Sequence, residues 1–252
     1  MSPPVFVVDR ARLESEAGPV VLDGPEGRHA ATVMRLGRGE PVVLTDGAGL
    51  RAEGVVAATG RDRLDVEVRT RVQVPAPTPR LVVVQALAKG DRGELAVETL
   101  TEVGVDLVVP WAAARCVTRW QGDRGARSLG KWRTAAREAA KQSRRTWFPE
   151  VADLASTFDV VTRLAAAGSA AVLHEEATEP LSGLPLATGP EGDGRDADVV
   201  LVVGPEGGVT PEELTAFAEA GAAAYRLGDT VLRTSTAGVA AVSVLQSVLG
   251  RW

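Results

Sequence analysis

The run Val74-Pro75-Ala76-Pro77-Thr78-Pro79 divides this chain. Its three prolines fix φ and remove backbone donors, so neither a helix nor a central strand can pass through it. A stiff, extended connector is the expected result. The hydrophobic pattern differs on its two sides. We therefore expect two domains, residues 1–74 and 80–252, joined by a linker at residues 75–79.

Before the prolines the β-prone runs are short: Val5–Val8, Val42–Leu44, Arg51–Ala57 and Leu64–Val68. Asp23-Gly24, Asp46-Gly47 and Thr59-Gly60 read as turns between them. Residues 63–69 alternate polar and apolar, as a half-buried strand does. Strands this short and frequent suggest a small β-barrel. His29–Leu36 is the expected helix, with Ala30, Val33 and Met34 able to share a face.

After the prolines, strand-like and helix-like segments alternate. Leu81–Leu87, Asp106–Pro110, Ala170–Leu173, Val199–Val203 and Ala224–Leu227 read as strands. Glu94–Val103, Leu129–Ser143, Thr210–Ala220 and Ser235–Leu249 read as helices, the first with Leu95, Glu98 and Glu102 on neighbouring turns. Such alternation implies an α/β domain whose parallel sheet is covered on both faces. Leu186–Asp198, rich in Gly and Asp, reads as a flexible surface loop.

Composition excludes little. Hydrophobic residues make up 45% of the 252, enough for a sizeable core. There is no apolar run of about 18 residues, and Met1–Arg10 lacks the basic start and apolar run of a signal peptide. Cys116 is the single cysteine, so no internal disulfide forms. The cytoplasm is the expected location. The formal net charge is −5, but its distribution is uneven. Residues 115–145 carry 10 basic and 2 acidic side chains, while residues 146–252 carry 5 and 15. A phosphate-binding surface needs local positive charge, not a basic total, because salt confines each charge to roughly 8–10 Å. Trp111, Trp120, Trp132, Trp147 and Phe148 lie in and around the basic segment. Core packing and base stacking are both open to them.

Gly-Pro-Glu-Gly occurs at Gly24–Gly27, Gly189–Gly192 and Gly204–Gly207. Only the third has an informative context. It follows the strand Val199–Val203 and precedes Thr210-Pro211-Glu212-Glu213, a helix start with Thr as N-cap and Pro at the first helical position. A loop there lies at the carboxyl end of a parallel strand, where open α/β sheets bind ligands. Its glycines fit either a backbone cradle or a tight strand–helix turn. The phosphate-loop lysine and the Gly-x-Gly-x-x-Gly pattern are both missing. A second polar loop runs from Leu227 to Ala237. Its hydroxyl residues fit either helix capping or a ligand site that converges with the first loop. His29 and His174 are the only histidines, and nothing clusters as metal ligands do.

Leu201-Val202-Val203-Gly204-Pro205-Glu206-Gly207-Gly208, together with Leu227-Gly228, Leu232-Arg233 and Thr236-Ala237, closely resembles the knotted SPOUT methyltransferases. More narrowly, the chain resembles the ribosomal small-subunit methyltransferase E family, over nearly its whole length. His29–Leu36 with Gly39-Glu40 and Asp46-Gly47 is similar to that family's N-terminal PUA-like domain. Lys89-Gly90-Asp91 with Glu102, Gly104 and Val105 is similar to its second signature. Arg137–Arg145 resembles its Glu-Gln-Cys/Ser-Gly-Arg segment, and Leu173-His174-Glu175 its cofactor-holding strand end. Two positions depart from the pattern: Lys141 stands where the family usually has Glu, and Arg144 where it usually has Gly.

The resemblance implies a SPOUT-type domain with a trefoil knot, a PUA-like barrel, and a homodimer with each site near the interface. It implies S-adenosyl-L-methionine as cofactor, 16S rRNA of the small ribosomal subunit as substrate, and methylation of N3 of one uridine. Cofactor contacts then fall on Leu173, His174 and Glu175, on Gly204, Pro205, Glu206, Gly207 and Gly208, and on Leu227, Gly228, Leu232 and Ala237. Uracil N3 carries a proton, so its anion must be stabilised or its proton accepted. Arg233 and Arg145 are the candidates for the first role. Glu206 is the candidate for the second, or else a brace for its loop. RNA contacts are expected from Arg28, Arg35, Lys131, Arg137, Gln142, Arg144 and Arg145. Alternatives are methylation at another RNA position, such as a ribose 2′-hydroxyl, and a non-catalytic RNA-binding assembly factor.

Overall fold

The computed structural model describes residues 2–186 and 198–252. Residues 187–197, and with them the second Gly-Pro-Glu-Gly copy and most of the expected loop at Leu186–Asp198, lie outside the described residues. The chain forms two compact units. One comprises Met1–Ala76 and Ala140–Phe148, the other Pro77–Ala139 and Pro149–Trp252.

The first unit is built on five strands: β1 (Val5–Val7), β2 (Val20–Leu22), β3 (Pro41–Thr45), β4 (Leu50–Gly60) and β5 (Arg63–Gln73). Their order in the sheet is β1-β3-β4-β5-β2. β1 runs parallel to β3 and the other pairs are antiparallel. β4 and β5 run well beyond the short segments that the apolar residues mark, because the ladder continues through exposed polar positions. Two register shifts in this hairpin sharpen its twist, and the sheet gathers Phe6, Leu13, Leu22, Leu44 and Leu64 into one core. Its turn falls at Arg61-Asp62, with Asp62 at φ +54, not at Thr59-Gly60. Asp23-Gly24 likewise starts a helix, α2 (Gly24–Arg28), which follows α1 (Arg10–Glu14) in the chain.

The helix expected at His29–Leu36 takes another form. After α2 the backbone widens into a π-helical turn over His29–Val33 and ends at Arg35, φ +55. The extra residue per turn rotates later side chains off the face of Ala30. Ala30 is buried, whereas Val33 and Met34 are exposed.

Ala140–Phe148 adds a short strap to this unit. The Gly47 carbonyl accepts the Phe148 N–H, and Gly49 N–H donates to the Thr146 carbonyl. Gly49 lies at φ +100, and a Cβ there would come within 2.6 Å of the Trp147 ring, so the position excludes any side chain. Trp147 Nε1 donates to the Val74 carbonyl at 3.1 Å.

The second unit holds a six-stranded, wholly parallel sheet, ordered β11-β9-β10-β6-β7-β8. Its strands are β6 (Leu81–Ala86), β7 (Leu107–Trp111), β8 (Glu150–Val151), β9 (Ser169–Leu173), β10 (Val199–Val203) and β11 (Ala223–Tyr225). Every residue of β6, β7 and β10 is buried, so these strands are covered on both faces. The helices are α3 (Arg92–Glu102), α4 (Gly122–Gln142), α5 (Thr157–Ala165), α6 (Pro211–Glu219) and α7 (Thr234–Val248). α3 packs on α7, and α5 on α6. In α3 the buried positions are Gly93, Ala96, Val97, Leu100 and Thr101, and Leu95 is exposed. α5 went unread in the sequence; its capping box at Ser156 and Asp159 was the available signal.

Three helices end alike. α3, α6 and α7 each close with a paired hydrogen-bond motif whose left-handed residue is glycine: Gly104, Gly221 and Gly250. α4 ends the same way, with Arg145 N–H donating to the Ala140 carbonyl and Arg144 N–H to that of Lys141, but the left-handed residue is Arg144 at φ +58. Gly221→Ala should cost about 1 kcal/mol, since a Cβ there meets no atom within 4 Å and only the backbone is strained. Arg144→Gly should instead gain about 0.5 kcal/mol, relief of the left-handed strain exceeding glycine's unfolded-state entropy. Urea unfolding of both variants checks the two signs.

Candidate active site

The loops at the carboxyl ends of β9, β10 and β11 enclose a cleft of about 480 Å³ within the second unit. The loop after β10 is fixed from three sides. Pro205–Gly208 forms a turn, with Gly208 N–H donating to the Pro205 carbonyl at 2.9 Å and Gly208 at φ +75. Thr210 caps α6 as expected: its hydroxyl accepts the Glu213 N–H, and Glu213 Oε2 accepts the Thr210 N–H. Glu213 is buried, and its Oε1 also accepts from the Ala114 N–H and the Thr157 hydroxyl. Three donors on one carboxylate hold it in the low-dielectric interior and tie α6 to the loop after β7 and to α5.

The cleft brings together eleven of the twelve candidate cofactor residues: Leu173, His174 and Glu175 from the end of β9; Gly204, Pro205, Glu206 and Gly208; and Leu227, Gly228, Leu232 and Ala237. Gly207 is the exception. It faces Arg115, whose NH1 donates to the Gly207 carbonyl at 3.2 Å, and a Cβ at Gly207 would lie 3.1 Å from the Arg115 Cβ. Gly207 therefore sets the packing of the loop, and the lining passes to its neighbours. Gly228 is the opposite case. A Cβ there would meet nothing within 4 Å, and the residue lines the cleft.

Three glycines, Gly204, Gly208 and Gly228, are part of the lining. The N–H groups of Leu227, Gly228 and Leu232 have no acceptor among the described residues, which leaves them available to a ligand. His174 is held by its own N–H, which donates to the Tyr225 carbonyl, and by Nδ1, which accepts from the Glu176 N–H. Tyr225, Arg226, Thr230, Val231 and Thr234 also line the cleft and were not singled out from the sequence.

The three candidate catalytic residues separate. Arg233 lines the cleft at the N-cap of α7, and its guanidinium has no ion pair among the described residues. Its carbonyl accepts from the Thr236 N–H and hydroxyl and from the Ala237 N–H, the first-turn bonds of the helix, and among the described residues no hydroxyl side chain caps the free N–H groups at its start. Glu206 also lines the cleft, but its Oε1 accepts the Lys89 N–H at 3.2 Å and lies 3.8 Å from Arg92 NH1. Arg145 belongs to the first unit and is not among the residues lining this cleft; its Nε donates to the Trp147 carbonyl at 2.8 Å.

The candidate RNA-contacting residues Arg28, Arg35, Lys131, Arg137, Gln142 and Arg144 are exposed, and Arg145 is half-buried. Lys141, by contrast, is nearly buried against Glu26 at 3.0 Å, both inside the first unit. Glu26 belongs to the first Gly-Pro-Glu-Gly copy, so that copy opens a helix and supplies a partner for Lys141. Of the aromatic residues, Trp111 and Trp132 are core, while Trp120, Trp147 and Phe148 are partly exposed. Burial pushes the Cys116 thiol up, away from the reactive thiolate. Among the described residues, no group of three or more His, Cys, Asp or Glu side chains is placed to hold a metal ion.

Known proteins place this architecture. A family model described as an RNA methyltransferase domain matches residues 75–246, and one described as an RNA methyltransferase PUA domain matches residues 22–69. The ribosomal RNA small subunit methyltransferase E of Mycobacterium tuberculosis is 46% identical, covering 98% of this chain and 93% of its own. That of Bacillus subtilis is 26% identical, covering 95% and 94%. The crystal structure of the Neisseria gonorrhoeae protein of the same name, bound to S-adenosyl methionine, superimposes with a TM-score of 0.81 at 25% identity, over 98% of each chain. With a relative of this identity over nearly its full length, the chain belongs to the ribosomal RNA small subunit methyltransferase E family.

Proposed function

We propose that this protein transfers a methyl group from S-adenosyl-L-methionine to N3 of a uridine in 16S rRNA of the small ribosomal subunit. The observation that carries the reading is the glycine-lined cleft with its unpaired N–H groups at Leu227, Gly228 and Leu232. Its volume of about 480 Å³ suits a cofactor of nucleoside size. The lining fits such a group: backbone donors for an adenine and ribose, open space at Gly228, and the ends of three strands around it. When bound, S-adenosylmethionine supplies a methyl group on a sulfonium, activated for displacement.

This chain's residues supply the rest. Uracil N3 must lose its proton, here to solvent water, to attack, and the negative charge spreads over N3 and the two carbonyl oxygens. Arg233, cationic, unpaired and on the cleft wall, is assigned to stabilise that charge. Glu206 is assigned to positioning: holding the Lys89 N–H and facing Arg92, it joins the loop after β10 to the loop after β6. Arg145 is assigned to the RNA, alongside exposed Arg28, Arg35, Lys131, Arg137, Gln142 and Arg144. N3 lies on the pairing edge of uracil, so the base must be unpaired or flipped out to react. Residues 1–74 are read as the RNA-binding domain and residues 80–252 as the methyltransferase domain, with 75–79 between. The site of action is read as the cytoplasm; among the described residues, no helix is long and apolar enough to cross a membrane. The assembly is read as a homodimer, on the strength of the family resemblance.

Mass analysis of nucleosides from small-subunit RNA, incubated with the protein and labelled methyl donor, tests the reaction. N3-methyluridine is the expected product; a 2′-O-methyl nucleoside or another methylated base would overturn the assignment. Gly228→Val should fold normally and weaken cofactor binding by at least about tenfold by calorimetry, because the new methyl groups occupy the cleft. Arg233→Ala should lower kcat by about a hundredfold while leaving cofactor affinity intact. Arg145→Ala should raise KM for the RNA without changing the melting temperature, and unchanged turnover kinetics would remove Arg145 from the RNA surface.

A further inference from the structure

A second cavity, of about 460 Å³, opens in the same unit. The two cavities both reach the first turn of α3. Arg92 lines the first cleft, whereas Gly90, Gly93 and Glu94 line the second. Lys89, next to Gly90 of the second cavity in sequence, donates its N–H to Glu206 of the first cleft.

The second cavity carries an excess of positive charge. Arg119, Arg124 and Lys131 line it against the single carboxylate of Glu94. Arg124, Ser128, Lys131 and Trp132 recur at helical spacing, so one face of α4 supplies much of the wall. Arg119 is oriented by two bonds, NH1 to the Ala113 carbonyl and NH2 to that of Ala114. Arg124 has no ion pair among the described residues. Lys131 lies 3.4 Å from Glu94 across a largely exposed pair, which contributes little and is readily exchanged for another anion. Two indoles, Trp120 and Trp132, meet edge to face at 5.0 Å on the same wall. Trp132 is packed in place, since a Cβ on Gly93 would strike its ring at 2.7 Å. Thr118 fastens the other rim, its hydroxyl donating to the Ala88 carbonyl at 2.9 Å.

We propose that this cavity binds a nucleotide of the substrate RNA next to the one that is methylated, with Arg124 and Lys131 on its phosphate and Trp120 beside its base or ribose. The proposal rests on the RNA-methylation reading for its ligand. A strand that delivers one base to the first cleft carries the neighbouring phosphodiester past the Lys89-Gly90 loop. Cations and an aromatic wall are the two elements that single-stranded RNA sites combine.

The test uses the full-length protein and a fluorescent single-stranded oligonucleotide from small-subunit RNA, titrated by anisotropy. Arg124→Ala and Lys131→Ala should each weaken binding about tenfold at low salt. Each should also lower the slope of log affinity against log salt by about one. Cofactor affinity and melting temperature should not change. Unchanged oligonucleotide affinity and salt slope in both variants would overturn the proposal. So would quenching of tryptophan fluorescence by free uridine 5′-monophosphate that depends on Arg124 while oligonucleotide binding does not. Arg124-dependent oligonucleotide binding without methyl transfer would keep this site and remove the methylation reading. Normal methyl transfer with Arg124-independent binding would do the reverse.

Discussion

Burial of β6, β7 and β10 on both faces leaves a ligand no access to the sheet except at its ends. Everything polar in the site is arranged around that constraint. The loops after β9, β10 and β11 rise from adjacent strands, so residues far apart in sequence meet at one edge. The Glu213 carboxylate fixes the middle of that edge by gathering Thr210, Ala114 and Thr157. Because the strand ends are rigid, the lining can include glycines and unpaired backbone donors and still keep its shape.

The same economy explains the different fates of the glycines. A Cβ at Gly204 would strike Val209 and one at Gly207 would crowd Arg115, neighbours within the fold. Gly228 has no such neighbour, and its smallness matters only to what enters the cleft. Conservative reading of a glycine motif would treat these positions alike. Packing separates a glycine that shapes a loop from one that leaves room for a ligand.

The basic segment shows a similar division. Sequence reads residues 115–145 as one stretch of charge. In the folded chain Lys141 is nearly buried on Glu26, and Arg133 donates to the Val151 carbonyl and pairs with Asp153. Arg124, Lys131 and Arg137 remain outward. Arg144 faces out at the price of a left-handed backbone, where the other helices of this type use glycine.

Much was legible in the residues themselves. Local chemistry announced the alternating strands and helices, the Thr210 cap and the paired polar loops, because hydrophobic period and capping act within a few residues. The Pro-rich run, likewise, marked a change of architecture. The sequence motifs also named eleven residues that the fold brings to one cleft. What tertiary structure alone decided depends on contacts distant in the chain: the strap Ala140–Phe148 joining the first unit, the widened turn that exposes Val33 and Met34, Glu206 held on Lys89 rather than left free, and a second cavity shared between α4 and the loop after β6. None of these has a local signature. Each follows from which surfaces meet once the parallel strands are buried.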